Sequence, residues 1–315
     1  MLTRRTVILA KEEATYGTDP SMTGTDGILA FDVDIDIKGE MLERDVLRDT
    51  LTPLPHVIGM KEASLTFKTE MKGAGISGTS AVAPEFHSLL RGCGFATAAI
   101  TGTDLTYGLL SSESDIVSVA FKVYKDGNLH KIVGSRGNVK FVLEAGKFGV
   151  MEYEFSGKYT AVAADTIPDI SGLVGGTALP PVVYNASFNI GEFSPVCSRA
   201  QLDIGNSVVR RDSLNATYGV EAFRITERKG KLEFDADAVV EASNPFWGDW
   251  ASDVVDTYGV TVGSVVGNKM WLYGNFQYDT NKYGDADGVS KYDCVASLCA
   301  SNSETQNDEF KISFC

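Results

Sequence analysis

The chain has 315 residues and a formal net charge of −14, with 43% apolar and 22% charged residues. An apolar share of that size supports a packed core and excludes a wholly disordered chain. The acidity excludes a non-specific nucleic-acid binder, which needs a basic stripe; "TRRT" (3–6) and "VVRR" (208–211) are too small for one.

Thirty-two glycines and recurrent Thr, Val, Phe and Tyr favour strands and turns over long helices. At the start, "MLTRRTVILAKEE" carries an apolar run only from Val7 to Ala10, too short for a signal peptide or a membrane span. "DVDID" (32–36) sets carboxylates at every second position of an expected strand, where they share one solvated face. A long connection follows over 46–57, and "SLTFKTEM" (64–71) alternates as a half-buried strand does. "GAGISG" (73–78) satisfies G-x-G-x-x-G, but the strand before it has one wet face and no β-α-β unit follows. It therefore reads as a flexible loop, not a dinucleotide site.

"APEFHSLLRGCGF" (83–95) predicts a helix opening near proline, where a missing N–H costs nothing. Strands follow in "VSVAFKVYKDG" (117–127), "NVKFVLEAG" (138–146) and "GVMEYEFSG" (149–157). The Gly- and Pro-rich stretch 164–181 reads as a linker. Beyond it come the strand "KLEFDADA" (231–238), the helix "NPFWGDWASDVV" (244–255) and the strands "KMWLYGNFQYD" (269–279), "VSKYDCVASLC" (289–299) and "EFKISF" (309–314). Those last three are expected to take the places of the three strands ending the first half, with "KISF" matching "EYEF".

The order repeats because the chain is written twice. At an offset of 167, Asp36, Ile37, Arg44, Asp45, Leu47, Thr50, Ile58, Leu65 and Phe67 meet identical residues at Asp203, Ile204, Arg211, Asp212, Leu214, Thr217, Ile225, Leu232 and Phe234. Chance would give about two identities over that window. The period is domain-sized, so it marks tandem duplication and not a solenoid. The expected fold class is mainly β (α+β): two tandem antiparallel β-sandwich or barrel domains, each with one short helix. The expected division is an N-terminal arm (1–24), a first domain (25–163), the linker (164–181) and a second domain (182–315).

Signals of chemistry are weak. The five cysteines, Cys93, Cys197, Cys294, Cys299 and Cys315, are odd in number and widely spread, which favours reduced thiols over a disulfide framework or zinc. "DTNKYGDADG" (279–288) resembles a calcium loop at Asp279, Asn281 and Gly284, but Ser290 stands where a bidentate Glu is required, so it reads as a hairpin tip. His56, His87 and His130 accompany no nucleophile motif. The expectation is a non-enzyme with no catalytic residues, no metal and no cofactor.

"ILAKEEATYGTDP" (8–20), "LERDVLRDTL" (42–51), "PEFHSLLRGCGFA" (84–96), "YKDGNLHKIVGSRGNVKFVLEAG" (124–146) and "VVRRDSLNATYGVEAFRITERKGKLEFDAD" (208–237) resemble, in order and spacing, the tail tube proteins (major tail proteins) of long-tailed bacteriophages. The doubled chain resembles the two-domain subtype. The resemblance implies a structural virion protein whose rings stack into a tube that conducts DNA on ejection. The resemblance further implies a tail component assembled in the host cytoplasm, with no membrane partner. The implied partners are other copies of the chain, a tape measure protein in the lumen, tail terminator and distal tail or baseplate proteins, and double-stranded DNA that passes without specific binding. An inner tube of a contractile injection or secretion system is the alternative. Twin domains predict a trimeric ring with pseudo-sixfold symmetry. In the family's manner, stacking and subunit contacts would fall on Arg44, Asp45, Leu47, Arg48, Asp49, Arg211, Asp212, Leu214 and Asn215, with the N-terminal arm crossing a neighbour. A glycan-binding β-protein, using Phe246, Trp247 or Trp271, is the competing reading from another class.

Overall fold

A computed structural model describes residues 2, 4–77, 80–97, 99–101, 104–173, 178–184 and 186–314. Cys315, the last glycine of "GAGISG" and residues 174–177 of the expected linker lie outside the described residues.

The first half contains β1 (Thr6–Glu12), β2 (Gly27–Ile28), β3 (Ala30–Leu42), β4 (Val57–Glu70), β5 (Ile76–Ser77) and β6 (Ser80–Ala81). Helix α1 (His87–Gly92) follows, then β7 (Ala99–Thr101), β8 (Asp104–Gly108), β9 (Val119–Lys125), β10 (Asn128–Glu144), β11 (Val150–Tyr159) and β12 (Ala163–Ala164). The second half contains β13 (Ser187–Ile190), β14 (Cys197–Asp203), β15 (Asn206–Asp212), β16 (Val220–Arg228) and β17 (Lys231–Asp237). Helix α2 (Phe246–Ala251) precedes β18 (Val255–Val262), β19 (Met270–Ala286), β20 (Val289–Leu298) and β21 (Lys311–Phe314). The described residues are mostly antiparallel β, with two short α-helices.

Pairing runs β1–β9–β10–β11–β4–β3 in the first half. It runs β13–β18–β19–β20–β17–β14 in the second, the same order. Register agrees as well. Ala30 faces Thr69 and Cys197 faces Ala236, both 167 apart, and each pair is followed by a β-bulge. The long strands β10 and β19 each pass from one layer to the other through a bulge. In β10 that bulge lies at Gly134, whose φ of +62° and contact with the Tyr16 ring leave no room for a Cβ. Buried Glu13 holds it, accepting hydrogen bonds from Gly134 N and Ser118 Oγ.

The correspondence of the later strands differs from the sequence expectation by one element. β18, not the stretch at 269–279, matches β9, and β20 matches β11. "KISF" matches the two-residue β12: both lie beside the start of their half's long strand. "EYEF" belongs instead to β11. Alternation alone could not separate these choices, since every candidate strand has period two. Residues 6–12, expected within an arm, form β1 and pair along their full length with β9 of the same chain.

The halves share one sheet. β14 pairs with the C-terminal part of β10, from Lys140↔Asp203 to Glu144↔Arg199. The sheet therefore runs unbroken through eight strands, β3–β4–β11–β10–β14–β17–β20–β19. Its inner face packs Phe67 and Phe155 against Phe121 of β9, with α1 supplying Leu89 and Leu90. The C-terminal segment crosses back: β21 pairs with β8, and buried Phe310 stacks on Phe141 and meets Phe95 edge-on. Most buried hydrophobic residues of both halves form one core, beside a small second cluster of Leu9, Tyr124 and Leu129.

Candidate assembly surfaces

Each half carries a projecting β arm. In the first half, the distal parts of β3 and β4 are joined by a non-repetitive loop, 43–56. Leu47 and Leu51 are fully exposed there, and Met41, Leu42, Val57 and Ile58 are about half exposed on the arm. In the second half, β15 and β16 form the matching hairpin, with fully exposed Leu214 at its tip. Leu47, Leu51 and Leu214 thus leave large apolar side chains in water on extensions of the fold.

The two arms differ in their surroundings. The β15–β16 hairpin lies on the first half. Arg210 bridges Glu62 at 3.0 Å, the Phe223 N–H donates to Tyr16 Oη, Lys61 lies over the Tyr218 ring and Asn206 donates to the Cys93 and Gly137 carbonyls. The β3–β4 arm meets that hairpin near its base, at Lys61, but among the described residues its 43–56 loop has no such bed.

Of the residues expected to make contacts, Arg44, Asp45, Leu47, Arg48 and Asp49 all lie in the exposed 43–56 loop. Arg48 donates to the Thr52 carbonyl within that loop. Arg211, Asp212, Leu214 and Asn215 lie at the tip of the second arm. Asp212 pairs with Arg210 at 2.8 Å and not with Arg211, because residues two apart on a strand share a face.

The eight-stranded sheet turns a polar face to solvent. Across it run Lys68, Glu152, Lys140, Asp203 and Lys231 as successive cross-strand partners, alternating in sign. The face is thus a charge ladder, not a uniformly acidic surface. Asp34 and Asp36 of "DVDID" lie on it; Asp32 falls in the bulge with φ +52° and bridges Lys68 at 3.5 Å.

Sequence reading did not single out the two ends of this sheet. β3 pairs with β4 on one side, and the 282–286 stretch of β19 pairs with β20 on one side. Among the described residues no strand occupies the other side of either. Tyr283 is 66% exposed at this end. No local signal could have exposed these edges, since edge status is a property of the whole sheet.

The other candidates lie in structural settings. "GAGISG" packs against the second half: Gly73 N donates to Asn268 Oδ1, and Gly267 O lies where a Cβ on Gly73 would sit. "DTNKYGDADG" is the end of the β19–β20 hairpin, turning at Asp287 and Gly288, both with positive φ. His87 Nδ1 lies 2.8 Å from Tyr107 Oη, and its Nε2 lies 3.4 Å from Glu12. Phe246 is fully buried, so "NPFWGDW" is the apolar face of a helix. Burial pushes the Cys93 thiol up, and the Cys197 and Cys294 thiols up to about 12, leaving them protonated. No helix among the described residues is long and apolar enough to cross a membrane.

A comparison with curated proteins gives no match. The sequence model of the family described as phage tail tube protein matches residues 3–266, which span both arms, the seam between halves and most of the eight-stranded sheet. The chain belongs to the phage tail tube protein family and is a structural component of the phage tail.

Proposed function

We propose that two tandem units, 25–163 and 182–315, make each chain one third of a ring, and that stacked rings form the tube through which phage DNA leaves. The observation that carries this reading is the unbroken eight-stranded sheet with an edge at each end that no described strand covers. An open edge is an aggregation hazard unless a partner covers it, and a heterologous contact between the two ends closes if the rotation is right. Three copies give 24 strands. At about 4.8 Å spacing and about 40° tilt, the barrel has a circumference of roughly 150 Å and a backbone diameter of roughly 48 Å. Side chains reduce the opening to about 38 Å, wide enough for a duplex.

The exposed arms suit ring stacking. On this reading Arg44, Asp45, Leu47, Arg48 and Asp49, with Arg211, Asp212, Leu214 and Asn215, touch the adjacent ring. The chain does no catalysis; it acts by shape and self-assembly with other tail components. Electron microscopy of concentrated protein tests this: annuli with three protomers and a sixfold outline, repeating about every 40 Å, are expected. That repeat is the projection of a 17-residue strand such as β10 at the same tilt. A protein that stays monomeric under conditions where the tail assembles, or a ring of another copy number, would sink the proposal.

A further inference from the structure

The seam inside one chain is a template for the seam between chains. Because Lys140 faces Glu152 and Lys282 faces Asp293, residues 140–144 of β10 correspond to 282–286 of β19. Likewise 199–203 of β14 correspond to 32–36 of β3, by the shared register and bulge. Within the chain the first of each pair is occupied: 140–144 bind 199–203. The second of each is the open edge.

We propose that a second copy fills it: 32–36 of one copy pair antiparallel with 282–286 of the next, in the register Lys282↔Asp36, Tyr283↔Ile35, Gly284↔Asp34, Asp285↔Val33 and Ala286↔Asp32. This rests on the ring reading above and adds the contact by which a ring closes.

Three independent features agree with this register. On the wet face, the intrachain row Glu152–Lys140–Asp203 becomes Asp293–Lys282–Asp36, with the same signs in the same order. That three-residue row is complete only if the next copy supplies Asp36. On the core face, Phe141 opposite Leu202 is fully buried with its partner, whereas their counterparts Tyr283 and Ile35 are exposed and half-buried. Pairing would cover both. On the arm, the Arg210–Glu62 bridge maps onto Glu43 of one copy and Lys229 of the next: opposite charges again, with polarity reversed. The free β3–β4 arm would thereby gain on its neighbour the bed that β15–β16 already has on the first half.

The test uses the wild-type chain. Unassembled protein grown on light and heavy nitrogen is mixed, allowed to assemble, checked by electron microscopy and treated with a carbodiimide. This reagent joins a lysine amine to a carboxylate only when the two nearly touch. Mass spectrometry should find Lys282–Asp36 and Lys229–Glu43 links carrying mixed isotopes. Rings whose Lys282 couples only within its own copy, or whose links between copies join it to carboxylates other than Asp36, would overturn the register while leaving the ring intact. Absence of rings in the microscope would instead remove the reading beneath it. As a second arm, Lys282→Asp should lower the assembled fraction at least about tenfold, since like charges then face each other. Adding Asp36→Lys should restore it; a double variant no better than the single would count against the pairing.

Discussion

At the scale of single residues, the duplicated bulge shows how one backbone feature can be held by opposite chemistry. In the second half Asp235 accepts from Ser198 N at 3.0 Å and Arg199 N at 2.6 Å, and bridges Lys291 at 3.2 Å. Its counterpart 167 residues earlier is Lys68, which reaches Asp32 and Glu152 instead. Burial opposes charge on Asp235, but the hydrogen bonds from Ser198 and Arg199 and the Lys291 ammonium outweigh it. They hold the carboxyl below the usual range. Solvent at the rim screens these contacts, so Asp235→Ala should cost about 1 kcal/mol and lower the unfolding midpoint by roughly 1–3 °C at pH 7. The folded pKa is depressed, so this contribution is present above the unfolded value of about 3.9. It disappears as pH falls through the folded value. Thermal scans of the two proteins should therefore converge in acid. A gap that persists unchanged well below that value would show that Asp235 acts by packing and not by its charge.

At the scale of elements, substitutions on the arms can separate folding from assembly. Leu47 and Leu51 touch little in the chain, so Leu47→Asp with Leu51→Asp should leave the monomer's unfolding midpoint unchanged within about 1 °C. If the arm stacks rings, sedimentation of the variant should show single rings in place of tubes. Tubes of normal length would place stacking elsewhere. The arms were legible in the sequence because the repeat is densest there: Arg44, Asp45, Leu47 and Thr50 all recur. The alternation of "SLTFKTEM" and "KLEFDADA" likewise named β4 and β17. What the sequence could not show is partnership between distant strands. β21 belongs to its own half by order yet also pairs with β8, some 200 residues away, and the edge at 282–286 reads locally like any hairpin. Within the chain the second Arg-Asp phrase is tied down by a residue outside it, since Arg210 meets Asp212.

At the scale of the whole molecule, the halves are not two beads. One sheet crosses from first to second through β10 and β14, and Phe310 from the end of the chain fills space beside Phe95 and Phe141. The doubled fold therefore offers a stiff wall segment with one polar face, and the charge on that face decides how a polyanion would move along it. The ladder neutralises much of it, with each lysine set beside a carboxylate on the next strand. Asp34, Glu154 and Glu233 stand exposed on the same face, and no ion pair joins them to another described residue, so they supply a weak field of DNA's own sign. If this face lines the channel, changing those three to lysine would add unpaired cations along the path, and each phosphate contact releases counterions and holds the duplex. DNA ejection from particles built with the triple variant should then slow at low salt and recover as salt rises, because the Debye length shrinks from about 30 Å at 0.01 M to about 8 Å at 0.15 M. The same changes to glutamine should slow it less, since they remove repulsion without adding attraction. Equal rates for all three particles at low salt would show that the polar face is not the surface that meets DNA.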